Sequence, residues 1–376
     1  MAFSPSSDED LDRNLQRLII TIEDMPVLDM GELGERTGLG QEASSIYRHY
    51  VAEKGLLAKS TINFFKLGLH DTYTILRISP IFNKAIPAFM EASIQNNFII
   101  SALRPMGQNV LITRELVPLG EHEKLKYALD ELSILGIIEG YEIFKADQVV
   151  NRWSLNPSAF DYVKGKWRTS PLQASVERKF KVADLNPVKF DAADLKIVQM
   201  LKKSASTKPE AIAASLNLSV DEAELHLRSH VLGGGDPKKS VLTGSSIDFF
   251  EPGLFAPETS IIAGFFSPEE EVREDFLNKL VKNPYLTFFA SCDKYFFTLF
   301  SLPTDQLYVV ADSLNSLQEN YLMADFRFYF APWFNNNKYG DPHNQADISR
   351  SFVKGKWEFN LGDFFDNVKQ IAKSSI

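Results

Sequence analysis

The sequence predicts an α+β protein made of two tandem modules, each a block of three helices followed by a βαββαβ unit. The pentapeptide "VKGKW" first indicates the duplication, since it occurs at Val163 to Trp167 and again at Val353 to Trp357. The same order of strand and helix patterns precedes each copy. The first predicted strand of each unit also ends in a proline, Pro80 in the first unit and Pro268 in the second. Proline has no backbone N–H to donate, so it fits the end of a strand better than the interior.

The first βαββαβ unit runs from His70 to Asp147. Strand patterns occur in "HDTYTILRISP", "NFIISALRP", "NVLITRELVP" and "IIEGYEIFKAD", and helical patterns in "IFNKAIPAFMEASIQN" and "EHEKLKYALDELSILG". The turn "MGQ" joins the middle two strands as a hairpin. This order predicts a ferredoxin-like domain, in which two helices cover one face of a four-stranded antiparallel sheet.

The second unit repeats this order. Its strands are predicted in "TSIIAGFFSP", "YLTFFASCD", "KYFFTLFSLP" and "LMADFRFYFAPWF", and its helices in "EEEVREDFLNKLVKN" and "TDQLYVVADSLNSLQ". Cys292, the single cysteine, falls inside an apolar strand and is expected to be a small core residue.

Three helices precede each unit and predict a winged helix-turn-helix. In the first block they are "LDRNLQRLIITIED", "DMGELGERTGL" and "GQEASSIYRHYVAEKGLL", with "LLAKSTINFFKLGL" as the wing. In the second they are "DAADLKIVQMLKKSA", "KPEAIAASLNLS" and "VDEAELHLRSHVL".

These patterns divide the chain into predicted domains. Two winged helix-turn-helix domains cover 8–66 and 190–252, the second of them degenerate, and two ferredoxin-like domains cover 67–167 and 253–360. A linker covers 168–189, and a C-terminal helix or tail covers 361–376. The linker's basic cluster "ERKFK" is expected to dock on another surface rather than to move freely.

Composition excludes several classes of protein. A net charge of −9 over 376 residues argues against gripping nucleic acid with the whole surface, so any such contact must be local. One cysteine cannot form an internal disulfide, and the acidic opening lacks the pattern of a secretory signal. No apolar run is long enough for a membrane span. The expected location is the cytoplasm, and no membrane is expected as a partner.

The stretch "LDRNLQRLIITIED…MGELGERTGLGQEASSIYRHYVAEKGLLAK" leading into "TYTILRIS" resembles the leucine-responsive/asparagine-regulator (Lrp/AsnC) family of transcription regulators. The resemblance covers about residues 10–147 and, more loosely, 190–332. It implies sheets that dimerise, reading heads on double-stranded DNA, and a small-molecule effector at the sheet interfaces. Because both modules lie in one chain, we expect an intramolecular pseudo-dimer, with further association into a homodimer left open.

The third helix of the first block is the predicted reading helix, because the early residues of that helix face base edges in a helix-turn-helix. The predicted DNA-binding residues are Ser44, Ser45, Tyr47, Arg48, His49, Lys54 and Lys59. The corresponding helix of the second block begins with Asp221, Glu222 and Glu224, which would repel phosphate. Those acids could instead serve as favourable first-turn charges of an ordinary helix.

The predicted function is therefore a DNA-binding transcription regulator that is not an enzyme, with no catalytic residues and no cofactor. Two alternatives stay open. Siroheme decarboxylases resemble the same family and also occur as paired modules, but their chemistry needs His and Arg side chains that converge on a tetrapyrrole. The candidates for that role are His70, Arg77, Arg104, Arg114, His122, Arg273 and Arg327. The other alternative is an interaction or sensing protein that no longer touches DNA.

Two further patterns have competing interpretations. Glu222, His226 and His230 follow helical spacing and could bind a metal, but no further ligand set is visible, so no metal site is predicted. In each "VKGKW", the tryptophan could stack on a base between the lysines. We favour a packing role, in which the tryptophan fills a groove on the other module while the lysines stay in water.

Overall fold

The computed structural model describes residues 8–96, 98–147, 150–168, 178, 180–182, 184–249, 259–332 and 347–374. Its α-helices are α1 (Asp8–Glu23), α2 (Met30–Thr37), α3 (Glu42–Tyr50), α4 (Ile86–Gln95), α5 (His122–Ile134), α6 (Ala192–Lys203), α7 (Pro209–Leu216), α8 (Val220–Leu225), α9 (Arg273–Leu280), α10 (Leu307–Asn320) and α11 (Gly362–Ser374). A π-helix, His226–Val231, continues α8. Of the predicted linker, residues 169–177, 179 and 183 lie outside the described residues.

The strands of the first half are β1 (Leu56–Ile62), β2 (Leu69–Ile78), β3 (Ile99–Leu103), β4 (Val110–Pro118), β5 (Ile138–Lys145), β6 (Val150–Arg152), β7 (Phe160–Asp161) and β8 (Lys166–Trp167). Those of the second half are β9 (Leu242–Phe249), β10 (Thr259–Pro268), β11 (Leu286–Cys292), β12 (Tyr295–Pro303), β13 (Met323–Pro332), β14 (Phe352–Val353) and β15 (Lys356–Trp357). All the strand pairs are antiparallel, which confirms the predicted α+β class.

The two large sheets share one strand order. The first is β3-β4-β2-β5, and the second is β11-β12-β10-β13 with β6 added beside β11. Because β6 follows β5 in the chain but pairs with β11, the first half of the chain contributes a strand to the sheet of the second half.

The sheets pack against each other through aromatic side chains. Alternate residues of a strand point to opposite faces, and the inward set on β2 and β10 includes Tyr73 and Phe265. The ring centroids of Tyr73 and Phe297 lie 4.2 Å apart, and those of Phe144 and Phe265 lie 4.8 Å apart. Buried aromatic pairs at this separation stabilise an interface beyond their area, so this layer holds the two halves together.

The helical blocks are also tied across the halves. β1 and β9, which follow the two sets of three helices, pair with each other from Leu56 to Ile62. α1 packs against β9 while α6 packs against β1, so each block covers the strand of the other. Backbone hydrogen bonds from Leu28 N to Ala205 O and from Ala205 N to Ala58 O, both 2.8 Å, continue this contact.

The two "VKGKW" segments form hairpins that each dock on the opposite half. Trp167 donates its indole N–H to Thr259 Oγ1 at the start of β10, at 2.9 Å. Trp357 donates its N–H to the backbone oxygen of Leu67, just before β2, at 2.8 Å. The four lysines of the two segments are exposed. The packing interpretation of the repeat is therefore confirmed, and α11, which follows the second hairpin, packs on α4.

The same five residues nevertheless make two different turns. In the second hairpin Val353 pairs with Lys356, and the two residues between them, Lys354 and Gly355, have φ angles of 50° and 79°. That is the two-residue turn whose twist suits antiparallel strands. In the first hairpin Asp161 pairs with Lys166, which leaves a four-residue loop. The tryptophan anchor is thus common to both hairpins, whereas the turn is not.

Among the described residues no helix combines the length and the apolar character that a membrane span needs. This finding agrees with the absence of long apolar runs in the sequence.

We expect Trp357→Ala to lower the free energy of unfolding by about 2–4 kcal/mol, because it removes a half-buried ring and an interhalf hydrogen bond. Lys356→Ala, which removes an exposed neighbour, should change it by less than about 0.5 kcal/mol. Urea unfolding followed by tryptophan fluorescence and by circular dichroism measures both. Equal stability of the two variants would contradict the packing role of Trp357.

Glu115 is one of the buried carboxyl groups of the first half. Glu115 on β4 is 3% exposed and accepts hydrogen bonds from the hydroxyls of Thr74, at 3.1 Å, and of Thr113. Burial raises the pKa of Glu115 to about 7, against the lowering effect of the two hydroxyls. Its neighbour Arg114 points to the opposite face of the sheet, toward Phe288.

Protonation of Glu115 should make stability pH-dependent. Its folded-state pKa of about 7 lies above the ordinary value of 4.5. The stability that the protonated carboxyl contributes to the folded state is therefore complete below pH 4.5 and is lost as the pH rises through 7. Between about pH 5 and pH 8, the wild type should lose about 2–3 kcal/mol relative to Glu115→Gln. Glu139→Gln, an exposed change on β5, is the control and should follow the wild type. Parallel urea-unfolding profiles of wild type and Glu115→Gln would refute the assignment.

Candidate functional site

A cavity of about 440 Å³ lies where elements of the two halves meet. Its lining comes from the end of α1, the end of β1 with the turn that follows, β6, the start of β9 and the linker residues Arg178, Lys181 and Val182. Its charged lining residues are Glu23, Asp24, Asp71, Arg152, Arg178 and Lys181. The volume falls within the range of about 300–1,000 Å³ that is typical of small-molecule sites.

Glu23 ends α1 with its carboxylate turned inward. A negative charge at a helix C-terminus faces the negative end of the helix dipole, so the carboxylate needs other partners. Its Oε1 accepts a hydrogen bond from Ser154 N at 2.8 Å and lies 3.8 Å from Arg178 Nη2. Burial raises the pKa of the Glu23 carboxyl, and Arg178 and Ser154 offset part of that effect.

Arg178 is the buried cation of the cavity, 7% exposed. It donates hydrogen bonds to the backbone oxygens of Leu286, at 2.7 Å, and Ser154, at 2.6 Å, and lies over the Trp153 ring. Burial lowers its pKa, although the Glu23 carboxylate raises it. Its Nε has no hydrogen-bond partner among the residues that the structure describes. A buried donor of this kind is available to a ligand with an acceptor group.

Lys181 fixes the linker to the first half. Its ammonium group contacts Asp24 Oδ1 at 2.8 Å and the backbone oxygen of Glu23 at 3.1 Å. Its backbone is held by the Asn151 side chain, which donates to Lys181 O and accepts from Lys181 N. The prediction that the "ERKFK" cluster docks on another surface is thus confirmed for Arg178 and Lys181.

The charges around the cavity balance, with three cations and three carboxylates. Asp71 is held by Arg114 through two hydrogen bonds of 2.6 Å. A binding site for a molecule with many carboxylates would need an excess of positive charge. The cavity therefore suits a ligand, or a part of a ligand, that carries one carboxylate or is uncharged.

The histidines and arginines that the sequence offers for a tetrapyrrole site share no single partner among the residues that the structure describes. Arg77 and Arg327, one from each half, both pair with Glu142 at 2.9 Å, and Arg114 is held by Asp71. Arg104 donates to Asn83, and Arg273 donates to the backbone oxygens of the turn between β11 and β12. The set therefore divides into groups with different contacts.

His70 and His122 do lie together, with ring centroids 5.1 Å apart. Burial and the positive charge of Lys145 lower the pKa of both, that of His122 to about 4. The pair is therefore neutral at pH 7 and does not supply positive charge for a carboxylate.

The predicted DNA-binding residues fall into two groups, those with buried side chains and those with exposed or half-buried ones. Ser44, Ser45, Tyr47, Arg48 and His49 lie on α3, Lys54 lies in the turn Ala52–Lys54, and Lys59 lies in β1. Tyr47 is 8% exposed, and its hydroxyl accepts a hydrogen bond from Ala58 N; Lys59 is 4% exposed and pairs with Ser246 of β9. Because both side chains are buried, the structure gives no support to their contact with a duplex. The others are exposed or half-buried where their side chains are described, and their contact with DNA stays an untested prediction.

In the second block the acidic residues serve the helix itself. Glu222 forms a capping box with Ser219 at the start of α8, and Glu224 pairs with Arg228 at 2.7 Å. These contacts agree with the alternative interpretation, in which the acids are first-turn charges of an ordinary helix.

No protein-family model and no curated protein sequence matches this chain. Among solved structures, the crystal structure of the siroheme decarboxylase NirDL matches with a TM-score of 0.53 and 11% identity, over 96% of this chain and 99% of that one. The structure of NirDL in a co-complex with an iron-uroporphyrin III analogue matches with a TM-score of 0.54 and 10% identity, with the same coverage. At this identity the likeness shows a common fold.

This likeness contradicts the prediction of a DNA-binding regulator that is not an enzyme. The solved structures that match the chain from end to end are those of an enzyme, and none of the findings supports DNA binding. The error has a physical cause, because paired sheets and three-helix blocks are packing units that host many functions. The junction cavity was not predicted from the sequence, in which the basic cluster of the linker was the available signal.

Proposed function

We propose that this chain is an enzyme that removes a carboxyl group from its substrate as CO₂, with the junction cavity as its active site. The observation that carries the proposal is the end-to-end correspondence with siroheme decarboxylase, including its complex with an iron-uroporphyrin analogue. The position of the cavity at the meeting of the two halves adds support, since ligand sites are commonly found between domains.

We also infer the finer architecture. Each half combines a winged helix-turn-helix with a ferredoxin-like domain, in the manner of the Lrp/AsnC family, with the domain boundaries given above. The strand order β3-β4-β2-β5, repeated as β11-β12-β10-β13, supports this inference, as does the pairing of β1 with β9 as two wings. The winged blocks then act as the covers of the junction rather than as readers of DNA.

The cavity offers the groups that such a reaction needs. Arg152 can orient an acidic substrate, since guanidinium groups bind carboxylates with two donors, and Arg178, held by two backbone oxygens, adds positive charge. In the reaction the C–C bond to the carboxylate breaks, CO₂ leaves, and the electron pair stays on the carbon. The Glu23 carboxyl, whose pKa is raised by burial, is placed to supply the proton to that carbon and then to recover it from water. The step is redox-neutral.

The size and charge of the cavity limit the substrate. With about 440 Å³ and balanced charges, it holds one acidic arm of a large molecule or a whole molecule of modest size. A tetrapyrrole would therefore enter by one carboxylate-bearing arm, with its ring outside.

Incubation of the purified full chain with siroheme or iron-uroporphyrin III tests the proposal. We expect a change in the absorption spectrum when the tetrapyrrole binds. Mass spectrometry should then detect a product whose mass is lower than that of the substrate by one or more CO₂ units. Binding without loss of CO₂ would overturn the enzymatic proposal and favour a sensing protein. Failure of both probes to bind would exclude a tetrapyrrole substrate.

Glu23→Gln should lower the rate of CO₂ release by roughly 10²–10⁴-fold with little effect on binding, because the amide keeps the shape but cannot donate the proton. In the wild type the rate should fall as the pH rises through the raised pKa of Glu23, since the carboxyl then loses its proton. Glu35→Gln is the matched control, as Glu35 is an exposed carboxylate of the same helical block that does not line the cavity. A Glu23→Gln variant that turns over like the Glu35→Gln variant would exclude Glu23 as the proton donor.

A further inference from the structure

A cluster of three potential metal ligands lies in the second helical block, away from the junction cavity. Asp194, in the first turn of α6, is buried, with 3% of its side chain exposed. Its Oδ1 lies 2.8 Å from His226 Nδ1 and 3.1 Å from His230 Nδ1. The ligand atoms of the three residues all lie within 4.8 Å of one another.

We propose that Asp194, His226 and His230 bind a divalent transition metal of the zinc type. Two imidazole nitrogens and one carboxylate oxygen are ligands that suit Zn²⁺ and its first-row neighbours, whereas Ca²⁺ and Mg²⁺ prefer oxygen alone. The proposal is independent of the proposed decarboxylation, because none of the three residues lines the junction cavity.

The geometry is close to that of a metal site. With metal–ligand bonds of about 2.0–2.2 Å in tetrahedral arrangement, neighbouring ligand atoms lie about 3.3 Å apart. The observed separations from Asp194 Oδ1, 2.8 Å and 3.1 Å, are a few tenths of an ångström shorter. A small outward rotation of the two rings would admit the ion. His230 is 44% exposed, which leaves one side open for water as a further ligand.

The backbone is unusual at this cluster. Both histidines belong to the π-helix His226–Val231, in which the Leu232 amide bonds to Leu227 O. Such wide turns are rare and occur frequently at functional sites. Here the turn brings two rings, whose centroids are 5.0 Å apart, onto one carboxylate from α6.

The neighbouring carboxylates are already used. Glu222, one helical turn before His226, holds Ser219 in the capping box, and Glu224 pairs with Arg228. The sequence pattern Glu222–His226–His230 therefore contained two of the proposed ligands, the histidines, whereas the third proposed ligand is Asp194 and not Glu222. Asp194 also accepts a hydrogen bond from Asp191 N through Oδ2, which orients the carboxylate toward the histidines.

A bound ion would link α6 to the π-helix that ends the second block. Its expected effect is to stabilise that block, because an ion that binds the folded state adds to its stability.

Titration of the untagged full chain with Zn²⁺, after removal of metals with a chelator, tests the proposal. We expect one Zn²⁺ per chain by competition with a chromophoric chelator, and a rise of the melting temperature on addition of Zn²⁺ but not of Mg²⁺. His230→Ala should weaken Zn²⁺ binding at least tenfold and abolish the thermal shift. Because His230 is half-exposed, this variant should fold, and circular dichroism verifies that.

Asp194→Asn and Glu224→Gln complete the comparison. Asp194→Asn keeps a side-chain oxygen that can accept the hydrogen bond from the Asp191 amide, but it removes the negative charge. Zn²⁺ binding should therefore fall while the helix is retained. Glu224→Gln removes a nearby exposed carboxylate and should bind Zn²⁺ like the wild type. The proposal is overturned if the wild type binds no stoichiometric Zn²⁺, or if His230→Ala and Asp194→Asn bind it as the wild type does. In that case the three residues form only a hydrogen-bonded helix contact.

Discussion

The packing of the two sheets against each other is the constraint on which the rest of the structure depends. Their facing sides carry large aromatic residues, among them Tyr73, Phe144, Phe265 and Phe297. A single half would expose this side as an apolar patch too large for a stable soluble monomer. The second copy of the module covers it, and the wings, the β6 strand and the tryptophan hairpins then cross between the halves. Each crossing element buries its own apolar surface on the opposite half, so the halves are parts of one folded unit.

The junction cavity is a consequence of this exchange. β6 joins the sheet of the second half, while Arg178 and Lys181 of the linker contact the second and the first half, so charged side chains meet beneath the end of α1. They are paired, the buried Glu23 with Arg178 and the exposed Asp24 with Lys181. Buried ion pairs contribute little net stability, since desolvation cancels most of the attraction. A set of oriented charges around a cavity is accordingly better explained by the binding of a polar substrate than by the needs of folding.

Duplication also allowed the two helical blocks to differ in chemistry. The third helix of the first block keeps exposed cationic groups such as Arg48 and buries Tyr47 against its own core. The second block ends in a π-helix whose histidines meet Asp194, and it uses its acids to cap α8. Likeness of fold between the halves therefore does not extend to their side chains. The same reasoning applies to the likeness with siroheme decarboxylase, which at 11% identity shows a common fold and does not extend to the side chains.

The sequence by itself determined the elements and their duplication, because periodicity and turn residues act between neighbours in the chain. It predicted the strand that ends at Pro268 and the packing of the two tryptophans. The first strand ends two residues before the predicted Pro80, at Ile78, and Pro80 begins a short 3-10 helix. Only the tertiary structure decided which distant residues meet. Ser154 reaches Glu23 across 131 positions and His226 reaches Asp194 across 32, and no local pattern records such pairs. Burial of Lys59 was hidden for the same reason, since β1 packs against α6, which lies far along the chain. Function was misjudged because a block of three helices has the same local sequence pattern whether or not it meets DNA.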